Sequence, residues 1–310
     1  MELRHATVLF ADLRSFSTLL ACSAPATVFA ALNRWFVRMS EVAAANGGTI
    51  DSFIGDAIMV LFDEARHGVA CAVDMQLAME DINRAQREAG LPDLYMGIGV
   101  NSGEVIAGVL GSSLHSARTV IGEEVNLAAR IEAFCLRGQI LISEATRAKC
   151  QGFAETGQRM DVHIKGRSSS VVLHEVHGIP SAEKRVPRLE RRRSPRVPVR
   201  IPFSYQLLGN DMVSPVRAPG TILDIGYRSM LVELERELGL FHELKLEFDL
   251  PFSGHRTDDL YGRIVNAQPG GRRYGIEFTA LGTETGRQIQ ALVQFLIQGA
   301  GAGAEHRFPL

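Results

Sequence analysis

The sequence has few cysteines and no long apolar run, and these absences limit what the protein can be. Its four cysteines, Cys22, Cys71, Cys135 and Cys150, are scattered and form no CxxC pair. Neither a zinc site nor a disulfide framework is therefore indicated, and a reducing cytoplasm is the expected location. No stretch approaches the roughly 20 apolar residues of a membrane-spanning helix. The N-terminal segment up to Phe16 contains Asp12 and two arginines, which does not fit a secretory signal.

Length and composition are those of a globular protein with about two domains of roughly 100–200 residues each. Apolar residues make up 46% of the chain and charged residues 22%, which is typical of soluble domains. The net charge of −2 conceals an asymmetry, because residues 183–200 contain eight basic and two acidic residues and the rest of the chain therefore carries −8. Such a basic run can bind a phosphate-rich ligand or nucleic acid, or it can be a solvated linker.

The hydrophobic pattern predicts an α+β fold for the first part of the chain, because strands and helices alternate without a regular βαβ period. We assign residues 1–180 to this domain, and we predict two strands at 94–101 and 105–111 with a turn between them. Residues 181–200 form a basic linker punctuated by prolines. Short strand-like runs and a closing amphipathic helix in 201–300 predict a small β-barrel, and 301–310 a flexible tail.

Two aspartates lie where apolar strands end. Asp12 closes the run in "VLFADLRSFS", and Asp56 follows Gly55 in the turn of "TIDSFIGDAIMVLF". Neighbouring strands would bring the two carboxylates together, and paired carboxylates repel unless a cation lies between them. A Mg²⁺ or Mn²⁺ site with oxygen ligands is one interpretation. The other is that both aspartates only cap backbone amides, which turn aspartates commonly do.

Five motifs in order make residues 5–178 similar to the catalytic domain of class III nucleotidyl cyclases, whose core is a ferredoxin-like βαββαβ fold. The motifs are "FADLRSFS", "GGTIDSFIGDAIMVLF", "GIGVNSGEVIAGVLG", "VIGEEVNLAARIE" and "HIKGR". The resemblance implies that Asp12 and Asp56 hold two divalent metal ions, Mg²⁺ or Mn²⁺. It also implies that Asn126 orients the ribose and Arg130 stabilises charge on the α-phosphate, while Lys165 meets the leaving phosphates.

The same resemblance implies a homodimer, because in this family the two aspartates act with the Asn and Arg of the partner subunit. It also implies a nucleoside triphosphate substrate. The base-reading positions match Ser52 and Thr119. Adenylyl cyclases usually have Lys at the first position and Asp or Thr at the second, and guanylyl cyclases usually have Glu and Cys. Thr119 favours ATP, whereas Ser52 fits neither pattern and leaves GTP open.

Residues 188–298 resemble a PilZ domain, a small β-barrel that binds cyclic di-GMP in many relatives. The RxxxR pattern is present as Arg192 and Arg196, and two guanidiniums can bind phosphates and stack on guanine. The second motif of the family, Asp/Asn-x-Ser-x-x-Gly, corresponds to "DIGYRS", in which Asp224 is kept while Gly226 and Ser229 have exchanged places. The domain is thus either a cyclic di-GMP sensor or a docking module that has lost its ligand.

The favoured interpretation is a cytoplasmic homodimeric cyclase that makes cyclic AMP and is tuned by its PilZ domain. A guanylyl cyclase is the first alternative. A catalytically silent cyclic di-GMP receptor, which uses the cyclase fold for dimerisation, is the second. Nucleic-acid binding through the arginine run is the least favoured.

Overall fold

The structure, a computed structural model, contains two compact units that divide between residues 191 and 192. It describes residues 1–14, 16, 19–20, 23–112, 116–162, 164, 170–187, 195–209, 212–251, 254–257, 259–268 and 272–301. Within this part of the chain, no helix is both long enough and apolar enough to cross a membrane.

The first unit is built on one mixed sheet with the strand order β2-β3-β1-β4-β6-β8-β7, to which β5 is added beside β4 and β9 beside β8. All neighbouring strands are antiparallel except β4 and β6. The strands are β1 Glu2–Arg14, β2 Thr49–Ile54, β3 Ala57–Phe62, β4 Tyr95–Gly111, β5 Ser116–Ile121, β6 Ile140–Ser143, β7 Glu155–Val162, β8 Val171–Ile179 and β9 Lys184–Arg185.

Helices cover both faces of this sheet. They are α1 Pro25–Ala45, α2 Ala65–Glu88, α3 Glu123–Ala133 and α4 Glu144–Lys149. Alternate residues of β1 belong to different cores: Leu9, Ala11 and Leu13 pack with α1 and α2, whereas Val8 and Phe10 pack in the core that includes α3. Because side chains alternate along a strand, the even-numbered residues at the end of β1 face α3.

The second unit contains a closed barrel of six strands in the order β10-β12-β13-β16-β15-β14, closed by pairing of β10 with β14. The short β11 extends one end of β10. The strands are β10 Arg196–Gly209, β11 Met212–Val213, β12 Ala218–Gly226, β13 Ser229–Leu234, β14 Glu243–Glu247, β15 Leu260–Ala267 and β16 Arg273–Leu281, followed by α5 Thr283–Gly301. The α+β class and the barrel predicted from the sequence are confirmed.

Two local predictions differ from the structure. The predicted turn at 102–104 is absent, because β4 continues through it and pairs with β1 from Tyr95 to Ala107. Ser102 is buried there and hydrogen-bonds Thr7, so a segment with the composition of a turn is held extended by its neighbours. In the segment predicted as linker, β9 extends the first sheet and β10 already begins at Arg196.

Candidate active site

The two aspartates singled out in the sequence lie side by side at one edge of the first unit. Asp12 is opposite Ala57 in the β1–β3 ladder. Asp56 occupies the tight β2–β3 turn, and its carbonyl accepts a 3.4 Å hydrogen bond from the amide of Leu13. Gly55 has a φ of 63°, the left-handed conformation that makes this turn possible. The register of β1 against β3 therefore brings the two carboxylates together.

Beside the aspartates lies an ion pair, Arg14 with Glu132, whose residues belong to the quoted motifs but had no predicted role. Arg14 follows Asp12 by two residues, so both side chains face α3. Its guanidinium lies 3.8 Å from the Asp12 carboxylate and contacts both the carboxylate and the backbone carbonyl of Glu132 on α3. Gly99 on β4 permits this close approach of the helix, because a Cβ there would overlap the backbone of Glu132. Arg14 thus joins the strand bearing Asp12 to helix α3.

The carboxyl groups of Asp12, Asp56 and Glu132 have pKa values above the ordinary ones and are therefore harder to ionise. Burial raises the pKa of Asp12 to about 8, and the negative charges of Glu132 and Asp56 act in the same direction, against the opposing effect of Arg14. Burial likewise raises the pKa of Asp56 and of Glu132 above their ordinary values. A divalent cation would reverse this cost, because it favours the charged form of every carboxylate near it.

Helix α3 places Asn126 and Arg130 on one face. They are four residues apart, a spacing that puts two side chains next to each other on a helix surface. Asn126 is exposed and Arg130 half-buried. Glu132, which contacts Arg14, follows Arg130 by two residues and therefore lies about 200° around the helix axis from it. Arg130 consequently points away from the side of α3 that faces Asp12 of the same chain.

The two predicted base-reading residues lie on neighbouring elements. Ser52 is on β2 and Thr119 on β5, and both are half-buried. The hydroxyl of Thr119 donates a 2.9 Å hydrogen bond to a carboxylate oxygen of Asp51, the residue before Ser52. This bond connects β5 to β2.

In the barrel, the predicted ligand residues that the structure describes form one cluster. Arg196 is opposite Gly226 in the β10–β12 ladder. Its guanidinium donates hydrogen bonds of 3.0 and 2.6 Å to the hydroxyl of Ser229 and lies 3.5 Å from Asp224. Asp224 also accepts a 3.0 Å hydrogen bond from the amide of Leu231. Lys165 and Arg192, the remaining predicted site residues, lie outside the described residues.

Comparison with known families assigns the first unit. The family model described as "Adenylate and Guanylate cyclase catalytic domain" matches residues 2–178. The chain belongs to this cyclase family. A second model, described as "PilZ domain", matches residues 190–295. Both predicted resemblances are confirmed, and the two units are a cyclase domain and a C-terminal PilZ domain.

Curated relatives share the cyclase domain at modest identity. "Adenylate cyclase 1" of Rhizobium meliloti is 30% identical over 188 residues, which are 58% of this chain and 28% of the relative. "Adenylate cyclase" of Anabaena cylindrica is 33% identical over 184 residues, 56% of this chain and 37% of the relative. The chain therefore spans only about a third of the length of these relatives.

The solved structures that resemble this chain include both a guanylyl cyclase and an adenylyl cyclase. The guanylyl cyclase Cya2 is 37% identical with a TM-score of 0.58, and the match covers 60% of this chain and 98% of Cya2. The adenylyl cyclase CyaB from P. aeruginosa is 28% identical with a TM-score of 0.55, covering 63% of this chain and 98% of CyaB. The cyclase fold is thus confirmed, while these two names point to different bases.

The donor set of the cyclase domain fits the divalent metals that the family implies. Among the described residues, no three His, Cys, Asp or Glu side chains are close enough together to form a metal site. Mg²⁺ does not need such a cage, because it is commonly held by one or two carboxylates together with substrate phosphates and water. The adjacent, partly buried carboxylates of Asp12 and Asp56 match that requirement.

Sequence reasoning missed three polar residues of the cyclase domain: Asp51, Arg14 and Glu132. The last two gave a detectable signal. Arg14 shares a strand face with Asp12, and Glu132 is a charged residue on the otherwise apolar buried face of α3. Asp51 gave no signal, because its contact with Thr119 joins residues that are 68 positions apart.

Proposed function

We propose that the cyclase domain converts ATP into 3′,5′-cyclic AMP and pyrophosphate. The observation that carries this proposal is the proximity of Asp12, near the end of β1, to Asp56 in the β2–β3 turn, together with a separate helix face that presents Asn126 and Arg130. Two anionic groups suit metal ions bound to a triphosphate, and a planar cation suits charge that spreads over phosphate oxygens. Family membership and the adenylate cyclase names of the curated relatives support the same reaction.

In the proposed reaction, the ribose 3′-oxygen forms a bond to the α-phosphorus while the bond from that phosphorus to the β-phosphate bridging oxygen breaks. Pyrophosphate leaves with the electron pair, and the hydroxyl proton passes to solvent. Asp12 and Asp56 would hold two Mg²⁺ or Mn²⁺ ions, which supply charge neutralisation for the triphosphate and acidify the 3′-hydroxyl. Asn126 orients the ribose, Arg130 stabilises the α-phosphate charge, and Lys165 binds the leaving phosphates.

The active unit in this proposal is a homodimer with composite sites. Because Arg130 lies on the side of α3 away from its own Asp12, one chain alone does not complete the site. Several exposed apolar side chains at the end of β2 and on the β4–β5 hairpin support a second copy as the covering partner. They are Phe53, Ile54, Val109, Leu110 and Ile121, with exposures of 45–69%. Apolar clusters of this kind commonly mark protein interfaces.

A guanylyl cyclase is the second candidate. Two observations favour it: Ser52 replaces the Lys that adenylyl cyclases usually have, and Cya2, a structural neighbour at 37% identity, is a guanylyl cyclase. The proposal for ATP is based on Thr119, whose hydroxyl proton is engaged by Asp51, so that the hydroxyl can accept a hydrogen bond from an amino group but cannot donate one to a carbonyl.

The PilZ domain is proposed to bind cyclic di-GMP and thereby tune the cyclase. Arg192 and Arg196 would bind the phosphates, and Asp224 would accept a hydrogen bond from a guanine edge. The Arg196 guanidinium already bonds Ser229 and lies near Asp224, so a ligand would compete with these contacts or use the remaining N–H groups of the guanidinium. An effector bound at one site typically changes the affinity at another site by about 5- to 150-fold. Cyclic di-GMP is therefore expected to change the cyclase rate by no more than this factor.

The deciding experiment incubates the purified full-length chain with Mn²⁺ and either ATP or GTP, with and without cyclic di-GMP, and separates the nucleotide products. Cyclic AMP with release of pyrophosphate is expected from ATP. Asp12→Ala should reduce that rate more than tenfold while the protein stays folded, because removing one carboxylate removes a metal ligand. Cyclic GMP as the main product would establish the second candidate, and no product from either triphosphate would leave a silent receptor.

A further inference from the structure

The carboxylate of Asp51 contacts the hydroxyl of Thr119, one of the two predicted base-reading residues. Asp51 is the extra residue of a β-bulge in β2: Ile50 pairs with Val60 and Ser52 pairs with Met59, so Asp51 has no partner on β3. A bulge re-aims the side chains around it and is common next to active sites. In this bulge the Asp51 side chain reaches β5 and accepts the hydrogen bond from Thr119.

The hydrogen bond fixes what Thr119 can do for a ligand. A hydroxyl has a single proton and two lone pairs, and an ionised carboxylate can only accept. At 2.9 Å from Asp51, the Thr119 proton is committed to the carboxylate. Any further partner of the hydroxyl must therefore be a donor.

Adenine and guanine differ at the position that such an acceptor can distinguish. Adenine has an amino group at carbon 6, which donates, whereas guanine has a carbonyl there, which accepts. We infer that Asp51 is a positioning residue that holds the Thr119 hydroxyl as an acceptor, so that Thr119 selects the 6-amino group of adenine and disfavours the 6-carbonyl of guanine. This inference rests on the proposed function, in which Thr119 faces the base.

Ser52 complements this arrangement without deciding the base. Its hydroxyl is not committed by Asp51 and can donate or accept, so it is able to serve the ring nitrogen of adenine or a group of guanine. The discrimination in this chain therefore resides in the Asp51–Thr119 pair and not at the position where adenylyl relatives usually have lysine.

The test measures binding of 3′-deoxy-ATP and 3′-deoxy-GTP to the full-length chain by calorimetry in Mg²⁺. These analogues lack the attacking hydroxyl and cannot cyclise, so the ratio of their dissociation constants reports base choice independently of turnover. Wild type should favour 3′-deoxy-ATP. Asp51→Asn should reduce that preference about tenfold, the size of one polar contact, because an amide can donate to Thr119 and free its proton.

Asp51→Asn is the informative variant because the amide keeps the size of the side chain and can still bridge the two strands. A merely structural bridge would be preserved by Asn, and the ratio would not move. Asp51→Glu keeps an obligate acceptor and should retain most of the wild-type preference for 3′-deoxy-ATP. Thr119→Val removes the hydroxyl, so adding Asp51→Asn to it should change the ratio no further. Thermal unfolding establishes that each variant is folded.

Three results would overturn the inference: an unchanged ratio in folded Asp51→Asn, the same effect of that change in the Thr119→Val background, or no preference for adenine in wild type. Each of these leaves the cyclase proposal standing if product is formed from either triphosphate. Failure of both analogues to bind, with no turnover, would overturn the proposed function and the inference together.

Discussion

The geometry of helix α3 leads to a quantitative prediction about mixed dimers. Asp56→Ala removes a metal carboxylate, and Arg130→Ala removes the proposed transition-state cation, so each variant alone should be inactive. If every site takes its aspartates from one chain and Arg130 from the other, a dimer of the two variants contains one site with both lesions and one intact site. Mixing the two inactive proteins should therefore restore activity.

The size of the rescue follows from symmetry. An equal mixture with random pairing contains about half heterodimers, and each heterodimer has one intact site of two, so about a quarter of the wild-type rate is expected per total protein. The assay measures cyclic nucleotide in the unfractionated mixture, and co-purification of a sample through different affinity tags establishes that subunits exchange and isolates the heterodimer, for which about half of the wild-type rate is expected.

A matched control separates this mechanism from general stabilisation by mixing. Asp12→Ala and Asp56→Ala damage the same metal set, so their heterodimer has no intact site and should remain inactive. The reasoning would be refuted if Asp56→Ala and Arg130→Ala showed no rescue although heterodimers form, because each active site would then lie within one chain.

The remaining predictions concern single residues of the two domains. Because the folded-state pKa of Asp12 is about 8 against an ordinary 3.8, its contribution to stability is complete below the ordinary value and is lost as pH rises to about 8. Urea denaturation of the metal-free protein should therefore show a loss of about 2 kcal/mol between pH 6 and 8, which should be smaller in Asp12→Asn, where Glu132 retains a pKa raised to about 7, and Mn²⁺ should stabilise more at pH 8. Ser52→Lys should raise the kcat/KM ratio of ATP over GTP about tenfold; an unchanged ratio would show that this position does not face the base. Arg14→Ala should lower the free energy of unfolding by about 3 kcal/mol, because a buried carboxylate loses its partner, and a loss below about 1 kcal/mol would contradict the ion pair. Ser229→Gly should tighten cyclic di-GMP binding in calorimetry by releasing Arg196, whereas weaker binding would make Ser229 a ligand contact.

The sequence determined which chemical groups are available and, through ordered motifs, which family holds them. Asp12 and Asp56 could be singled out because a charge at the end of an apolar strand is costly unless it has a role. Local rules also place Asp56 at the tip of the β2–β3 turn, whereas its proximity to Asp12 depends on the register of β1 against β3. Asn126 and Arg130 share a helix face by their spacing alone.

The sequence could not determine contacts between residues that are distant along the chain. Arg14 meets Glu132 across 118 positions, and Asp51 meets Thr119 across 68. Each contact depends on strand register, on a bulge, and on how closely a helix approaches a sheet, and these are set by packing of the whole domain. The turn composition of 102–104 was overridden in the same way, because the ladder with β1 and a buried hydrogen bond to Thr7 hold that segment extended. Local chemistry thus named the reactive groups, and tertiary packing decided which neighbours orient them.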